Sequence, residues 1–381
     1  MSVEDIANGL NNFFSSIERP IYLHEPDLKG HELSYITDCI ESGWVSSVGS
    51  YVDRFEKELG EFCGGYAVST VNGTAALHLA LVLAGVKPNH EVITPALTFV
   101  ATANAVSYCG AIPHFVDADS QNFGIDAAKL DVYLSKTLKN GVNIKTGRKI
   151  SALIVTHIFG HCADMDALSN IAKKYNLVLV EDAAESLGSY YKGKHTGLLG
   201  IVSALSFNGN KILTTGGGGA VLTSDQNIAE RAKHLSTTAK ATHPYVHIHD
   251  EIGYNYRMPN INAALGCGQL EKLPDYLAQK KILTSRYSAF FAQFPDTTFV
   301  KQPDETISNN WLNSIIMNSE EDRNTLIDIL AKNDIFCRGI WEVMAELPMY
   351  KNCPSMDIST AKDLVARTVN LPSSPFLAKR L

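Results

Sequence analysis

The chain has 381 residues, of which 45% are hydrophobic and 19% are charged. These proportions are those of ordinary globular proteins, so they exclude disordered and fibrous classes. The 33 basic residues are outnumbered by 40 acidic ones, and the net charge of −7 argues against general nucleic-acid binding and against a polybasic membrane patch.

The N-terminus and the cysteines indicate a cytoplasmic protein. The first residues, MSVEDIANGLNNFF, have no basic region followed by a long apolar core, and no apolar run in the chain reaches the roughly 18 residues of a membrane span. The seven cysteines are widely spaced and form no CxxC pair, which is typical of free thiols in a reducing compartment. We therefore predict neither a membrane span nor a structural zinc site.

The first part of the chain is predicted to form a large α/β domain. The first 20 or so residues are weakly patterned and are expected to be peripheral. Short apolar runs then predict strands at 66–71, 91–94, 112–116, 152–157, 177–182, 202–207 and 220–223. Amphipathic segments between them predict helices at 74–85, 99–109, 165–175 and 227–236. Because the runs lack polar alternation, they predict a mainly parallel sheet covered by helices on both faces. The basic stretch 132–150 is interpreted as a solvated loop after a helix.

Beyond about Gly268 the pattern changes to that of a smaller α+β domain. A helical segment at 269–294, interrupted at Pro274, is followed by a strand-like run at 311–317, a helix at 321–332 and a short apolar run at 335–340. The predicted organisation is therefore a peripheral segment 1–20, a large α/β domain 21–268 and a small domain 269–381.

Ligands of open α/β sheets bind beyond the carboxyl ends of the strands, and two such ends here favour a phosphate and a charged ligand. At the first, Gly73 and Thr74 open a helix, with Thr74 as its expected cap; this is either a phosphate cradle or an ordinary N-cap. At the second, Asp182 and Glu185 follow a buried run. A carboxylate there is costly without a partner, although Asp182 as a helix N-cap explains it equally well.

Two further strand ends carry a lysine and an aromatic residue. Lys211 lies between an apolar run and the four glycines 216–219, so its amine is either desolvated for nucleophilic use or paired with a carboxylate in a loop. Phe99 follows a strand and either stacks on a flat ring or joins the core. Pyridoxal phosphate (PLP) requires such a set: a lysine for its aldehyde, a carboxylate for its pyridinium N–H, and a helix N-terminus for its phosphate.

Two other motifs are incomplete. Residues 188–194 satisfy GxxxxGK by count, but His195 follows instead of Ser or Thr. His247 and His249 alternate with apolar residues, but no third ligand accompanies them, so no metal site is predicted.

The sequence resembles a known family, the DegT/StrS-type nucleotide-sugar aminotransferases of PLP fold type I. The resemblance covers roughly residues 20–381. Its markers are the segments 43–47 (GWVSS), 72–78 (NGTAALH), 91–95 (EVITP), 181–184 (EDAA), 206–207 (SF) with Lys211, 253–258 (GYNYRM), 347–350 (LPMY) and 371–374 (LPSS). The sequences of segments 207–211 and 185–188 are most similar to those of enzymes of bacillosamine and legionaminic acid synthesis.

The resemblance implies a fold and a role for each matching residue. The fold would be that of aspartate aminotransferase, with a seven-stranded sheet and a smaller C-terminal domain. Lys211 would carry the internal aldimine and shuttle a proton, and Asp182 would keep the ring nitrogen protonated. The remaining cofactor contacts would be Gly73, Thr74, the backbone of Ala75, Ser206, the stacking Phe99, Glu185, and Asn255 of the neighbouring subunit in a homodimer. Arg257 would bind the substrate diphosphate or form a salt bridge between subunits.

The implied activity is transfer of an amino group, from L-glutamate, to C4 of a nucleotide-linked 4-keto-6-deoxy sugar, with the cofactor alternating between PLP and PMP. The product would feed the synthesis of a surface glycan or a sialic-acid-like sugar. Alternatives are C3 amination of a 3-keto sugar and a PLP-binding regulatory protein with little turnover. Two departures from the family pattern are Glu185, where many relatives have Gln or His, and Ala345, where some have His. Lys211 argues against the dehydratase branch, in which a histidine replaces the lysine.

Overall fold

The computed structural model describes residues 2–241, 245–246 and 248–381. His247, one of the two alternating histidines, lies outside the described residues. The largest sheet has seven strands, which are β1 Tyr66–Thr70, β2 Glu91–Pro95, β3 Ile112–Val116, β4 Ile150–Thr156, β5 Val178–Asp182, β6 Val202–Ser206 and β7 Gly219–Thr223. Each predicted strand is present, and each end lies within two residues of its predicted position.

The strands run in the spatial order β1-β7-β6-β5-β4-β2-β3. The pairs from β6 to β3 are parallel, whereas β7 is antiparallel to both β1 and β6. The predicted mainly parallel, seven-stranded sheet is therefore confirmed. Because the connections between the parallel strands pass over the sheet, the carboxyl ends of β2, β4, β5 and β6 meet at one edge.

Twelve helices are described. They are α1 Val3–Phe13, α2 Glu32–Ser42, α3 Ser50–Cys63, α4 Gly73–Leu83, α5 Val100–Tyr108, α6 Ala127–Thr137, α7 Met165–Tyr175, α8 Gln226–Ser236, α9 Asn260–Phe291, α10 Glu320–Lys332, α11 Ser359–Arg367 and α12 Leu377–Arg380. Short 3₁₀ turns lie at Ile158–Gly160 and Met344–Glu346. Of the described helices, none combines the length and the apolar character that crossing a membrane requires.

Helices cover both faces of the large sheet, as the strand sequences without polar alternation predict. On one face α4, α5 and α8 pack on alternate strand residues such as Val68, Ala204 and Val221. On the other face α3 and α9 pack on residues such as Leu205 and Leu222. Residues two apart in a strand point to the same face, so each strand contributes to both layers of the core.

The C-terminal part forms a four-stranded antiparallel sheet of its own. Its strands are β8 Thr298–Phe299, β9 Asn313–Ile316, β10 Arg338–Gly339 and β11 Thr368–Leu371, in the order β8-β9-β11-β10. A three-stranded sheet joins Thr306–Ile307 to the hairpin of Tyr190–Tyr191 and Lys194–His195, which links the C-terminal part to the large sheet.

Helix α9 differs from the prediction at Pro274. It runs without a break from Asn260 to Phe291, so the predicted interruption is wrong. Pro274 is exposed, and water can therefore bind the carbonyl that loses its partner, while the neighbouring Leu273 and Tyr276 are buried. Their packing outweighs a proline cost of about 3 kcal/mol. The boundary predicted at 268 lies inside this helix, and the division of the chain into three parts stays a prediction.

Two segments have more structure than their sequence pattern suggested. Residues 3–13 form α1, whose Ile6 and Leu10, together with the following Phe14, are buried against α9, α10 and the C-terminal sheet. The predicted loop 132–150 contains the end of α6 and a hairpin of Leu138–Lys139 with Val142–Asn143. The loop interpretation is therefore wrong in part, because the side chain of Asn143 is buried in a hydrogen bond with Glu91.

Candidate active site

A cavity of about 280 Å³ opens at the carboxyl edge of the large sheet. Seven of the residues predicted for the site line it, namely Gly73, Thr74, Phe99, Asp182, Glu185, Ser206 and Lys211. They come from four strand ends, and the sheet brings them together. Three predicted residues do not line the cavity: Ala75 is buried within α4, Asn255 is exposed, and Arg257 is half-buried beside Thr70 at the end of β1.

The N-terminus of α4 forms one wall of the cavity. Its cap is Asn72 and not Thr74 as predicted, because the Asn72 Oδ1 accepts the Ala75 N–H at 2.8 Å. The amide predicted to bind phosphate at Ala75 is thus already hydrogen-bonded. The amides of Gly73 and Thr74, in the first turn, have no partner within the helix and lie at the cavity, where the helix dipole favours an anion.

Glycines let the backbone of β6 and β7 approach this helix end closely. A Cβ on Gly73 would lie 2.8 Å from the Cβ of Ser206, and a Cβ on Gly219 would lie 2.6 Å from the backbone N of Gly73. A Cβ on Gly217, by contrast, would meet no atom within 4 Å. The glycine run is therefore not a uniformly flexible turn, because at Gly219 its backbone packs closely against the start of α4.

Asp182 ends β5 and points its carboxylate into the cavity. Its Oδ2 accepts the Thr102 hydroxyl at 2.7 Å and its Oδ1 accepts the Ala184 N–H at 3.2 Å. Burial raises the pKa of the Asp182 carboxyl, and these hydrogen bonds with the charge of Lys211 only partly oppose it. Among the described residues Asp182 has no salt bridge, so a cationic N–H in the cavity would be the missing partner.

Lys211 and Glu185 form an ion pair in the lining of the cavity. The Lys211 Nζ lies 3.4 Å from the Glu185 Oε1 and 3.7 Å from the ring centroid of Trp311, and its side chain is 13% exposed. Burial raises the pKa of the Glu185 carboxyl, while Lys211 and the Phe159 N–H, which donates to Oε2 at 2.8 Å, lower it. The pairing of Lys211 with a carboxylate, one of its two interpretations, is thus present, and the lysine side chain is also largely buried.

Sequence reasoning missed the C-terminal wall of the cavity. Trp311, Arg338 and Trp341 line it, together with Asn210. Trp311 lay within a predicted strand, and its Nε1 donates to the Asn210 carbonyl at 2.8 Å. Nothing in the local pattern of these residues distinguishes them from core or loop residues, because only the packing of the C-terminal sheet against the large sheet brings them to Lys211.

The residues present fit PLP on three counts. The buried Asp182 carboxylate lacks a cationic partner among the described residues, the first-turn amides of α4 and the hydroxyl of Ser206 lie where an anion is favoured, and the amine of Lys211 lines the same cavity. Phe99 is 50% exposed at the mouth, with its ring 5.9 Å from that of Trp341, so one face is available to a flat ligand.

Comparison with known proteins agrees with this arrangement. The model of the DegT/DnrJ/EryC1/StrS aminotransferase family matches residues 26–380. The chain is 37% identical over 360 residues to the GDP-perosamine synthase of Escherichia coli O157:H7, which covers 94% of each chain. It is 36% identical over 276 residues to the UDP-4-amino-4,6-dideoxy-N-acetyl-beta-L-altrosamine transaminase of Campylobacter jejuni, which covers 71% of this chain and 69% of the relative.

Solved structures have the same fold. The sugar aminotransferase Spr1654 of Streptococcus pneumoniae, determined in its PLP form, superposes with a TM-score of 0.83 at 26% identity and covers 93% of each chain. A PMP form of that protein superposes equally well. The predicted aspartate-aminotransferase-like fold is thereby confirmed.

Proposed function

Because this chain belongs to the DegT/DnrJ/EryC1/StrS aminotransferase family and is a PLP-dependent nucleotide-sugar aminotransferase, we propose that it aminates C4 of a nucleotide-linked 4-keto-6-deoxy sugar, with L-glutamate as the amino donor. The observation that carries the proposal is the set of Lys211, Asp182 and the α4 N-terminus around one cavity. A PLP-binding regulator with little turnover is not retained as an alternative.

The choice of C4 is supported by a relative. The transaminase of Campylobacter jejuni is named for a 4-amino-4,6-dideoxy sugar, and the chain is 36% identical to it. Amination of C3 stays the alternative, because the cofactor residues would be the same for either carbon.

Bound PLP would supply an electron sink and an aldehyde that carries the amino group between donor and sugar. In this proposal the cofactor is held at three points. Asp182 binds the ring N–H and keeps it protonated: burial alone raises the pKa of this carboxyl, and a cationic N–H beside it would favour the charged form. The amides of Gly73 and Thr74 and the hydroxyl of Ser206 bind the phosphate, and Phe99 stacks on the ring.

Lys211 is proposed to bind the cofactor through its Nζ and, once released, to move a proton to and from the reacting carbon of donor and sugar. Its desolvated position against Trp311 excludes water from that transfer. Glu185, 3.4 Å away, is proposed to hold the lysine in place. Burial raises the pKa of Glu185, so this carboxyl is also suited to carry a proton near the cofactor oxygen.

We propose a homodimer with shared active sites. Trp44, Val45 and Val48 are exposed on one segment, which is hydrogen-bonded to Asn260 at the start of α9. Exposed apolar groups of this kind mark protein interfaces. Asn255, also exposed and close in sequence to α9, would reach the phosphate of the neighbouring subunit. For Arg257 two alternatives remain: it binds the substrate diphosphate, or it forms a salt bridge across the interface.

The product would serve the synthesis of a surface glycan or a sialic-acid-like sugar, and a place in bacillosamine or legionaminic acid synthesis stays a prediction. In either case an enzyme that removes water from a nucleotide-linked hexose must supply the keto sugar.

Spectroscopy and product analysis test the proposal. Purified holoenzyme should absorb as a PLP enzyme, and the band should bleach on addition of L-glutamate and return when the correct 4-keto sugar nucleotide is added. Lys211→Ala should abolish this cycle. NMR of the product should place nitrogen on C4; nitrogen on C3 would establish the alternative, and no bleaching by L-glutamate would remove glutamate as donor.

A further inference from the structure

A buried lysine that the proposed reaction does not use contacts the wall of the active-site cavity. Lys280, on α9, is fully buried, and its Nζ donates to three backbone carbonyls. They belong to Ser373 at 2.6 Å, Trp311 at 2.9 Å and Asn310 at 3.1 Å. A protonated amine has three N–H donors, so each of them has an acceptor here. The amine therefore joins α9 to two turns of the C-terminal part.

The burial of this amine is costly. Burial lowers the pKa of Lys280 well below its usual value, and within the described ranges no carboxylate forms an ion pair with it. A methionine of similar length would fill the same volume without the cost of removing a charge from water. The presence of a lysine therefore has to be explained by the carbonyls that it fixes.

Trp311 links Lys280 to the active site. Its carbonyl accepts the Lys280 amine, its backbone N–H donates to the Asn309 Oδ1 at 2.8 Å, and its indole Nε1 donates to the Asn210 carbonyl at 2.8 Å. Asn309 is itself fixed, because its Nδ2 donates to two further backbone carbonyls, both at 2.9 Å. The backbone and the ring of Trp311 are thus held from separate segments of the chain.

The indole of Trp311 contacts Lys211 in two ways. The ring centroid lies 3.7 Å from the Lys211 Nζ, and a cation–π contact at a desolvated position stabilises the charged amine. The indole N–H also fixes the carbonyl of Asn210, the residue that precedes Lys211 in the chain. A shift of the Trp311 backbone would therefore displace both ends of the lysine side chain.

We propose that Lys280 is a positioning residue for Lys211 and acts through Trp311. Lys280 does not line the cavity; it holds the Trp311 backbone, and the indole in turn holds the Lys211 amine where the proton transfers of the reaction take place. A misplacement of about 1 Å is enough to slow a catalysed step a hundredfold. This inference rests on the role proposed for Lys211.

The first test measures the Lys211 amine without cofactor. PLP-free enzyme is labelled with trace acetic anhydride, and mass spectrometry compares the acetylation of Lys211 with that of the exposed Lys57. We expect Lys280→Met and Trp311→Leu each to raise the relative acetylation of Lys211 about tenfold, because an amine that loses a buried ring contact is less often charged and more accessible. Lys280→Gln, which keeps two of the donors, should raise it less. Glu91→Gln, a destabilising change at the opposite edge of the sheet, should leave it unaltered.

A double variant separates positioning from a purely structural role. If Lys280 acts through Trp311, Lys280→Met/Trp311→Leu should show no more acetylation of Lys211 than Trp311→Leu alone. In the PLP-loaded enzymes, bleaching by saturating L-glutamate should slow about tenfold in each single variant. The half-saturating concentration of glutamate should not change, because the amine is displaced and the binding of the donor is not.

Three results would overturn the inference and leave the proposed function intact: wild-type acetylation of Lys211 in Lys280→Met, effects that multiply in the double variant, or an equal rise in Glu91→Gln. If Lys280→Met does not fold, Lys280→Gln takes its place in the same comparisons. Normal bleaching of Lys211→Ala by L-glutamate would instead remove the role proposed for Lys211, and this inference with it.

Discussion

At the residue scale, Asp182 lowers the stability of the PLP-free protein and favours the binding of PLP. Its carboxyl is buried at the end of β5 and has only neutral hydrogen-bond donors, the Thr102 hydroxyl and the Ala184 amide. Burial raises its pKa, so the free protein binds a proton here more tightly than the unfolded chain does. A group of this kind stabilises the fold at low pH, and that stabilisation is lost as pH rises through the raised pKa.

We therefore predict that Asp182→Asn weakens PLP binding at least tenfold. At pH 8 the PLP-free variant should have a Tm about 2 °C or more above that of PLP-free wild type. The advantage of the variant should shrink at pH 5, where the wild-type carboxyl is closer to being protonated. Thermal unfolding of both PLP-free proteins at the two pH values, with cofactor titration by absorbance, measures this. Undiminished PLP affinity in the variant would contradict the role proposed for Asp182.

A second residue-scale prediction concerns the glycine run. Gly219→Ala brings a Cβ to 2.6 Å from the Gly73 amide nitrogen, so the start of α4 must move. We expect PLP affinity to fall at least tenfold, because the displaced amides are those proposed to bind the phosphate.

Gly217→Ala is the matched control, since its Cβ meets no atom within 4 Å. It should change the free energy of unfolding by no more than about 0.5 kcal/mol and leave PLP affinity unaltered. Equal effects of the two substitutions on cofactor titration would show that the close approach at Gly219 is unimportant.

At the scale of elements, a buried polar network joins β2, β3, α6 and the hairpin that follows α6. Glu91 and His114 are fully buried and lie 2.8 Å apart. Glu91 also accepts hydrogen bonds from Asn143 and Thr146 of the hairpin segment, and His114 contacts the Tyr133 hydroxyl of α6. The network explains why a segment that reads as a solvated loop has a defined structure.

This network should make the fold sensitive to acid. Burial raises the pKa of Glu91, but its hydrogen bonds outweigh burial and the pKa is lowered overall. A carboxyl whose pKa is lowered in the folded protein stabilises the fold at pH values above its pKa in the unfolded chain, which is about 4.3. This stabilisation is lost as the pH falls through the pKa of the folded protein.

We expect Glu91→Gln to cost about 2 kcal/mol at pH 7, because its amide group cannot accept the same donors, and to cost less at pH 4. Urea unfolding at both pH values tests this, with Glu61→Gln as a control on an exposed carboxylate. A cost that does not diminish at pH 4 would argue against an ionised Glu91.

At the scale of the whole molecule, the proposed homodimer with shared sites predicts complementation. Lys211→Ala and Asn255→Ala should each be inactive as a homodimer, the first for lack of the amine and the second for lack of a contact to the neighbour's phosphate. Random mixing after reversible dissociation yields one intact site in each mixed dimer, or about a quarter of the wild-type activity.

The control is a mixture of Lys211→Ala with the double variant Lys211→Ala/Asn255→Ala, which has no intact site and should stay inactive. If the first mixture also stays inactive although mass spectrometry detects mixed dimers, Asn255 acts within its own subunit.

Local pattern was sufficient for the main sheet and for the helices between its strands. Buried parallel strands are continuous apolar runs, and each lies within two residues of the position that its run predicts. The same reasoning failed where a signal was weak or was outweighed. The apolar residues Ile6, Leu10 and Phe14 recur at helical spacing, but this pattern is too weak to predict α1, and Pro274 predicts a break although buried neighbours hold α9 together.

Local sequence is enough to indicate the chemistry of the site: a lysine, a carboxylate and a glycine-opened helix each follow a strand, and the ends of parallel strands must meet at one edge. Packing between distant segments fixes the rest: Lys211 contacts both Glu185 and Trp311, and Arg338 and Trp341 line the cavity beside it. These contacts join residues up to more than a hundred positions apart, and their geometry depends on how two sheets pack, which no periodicity along the chain records.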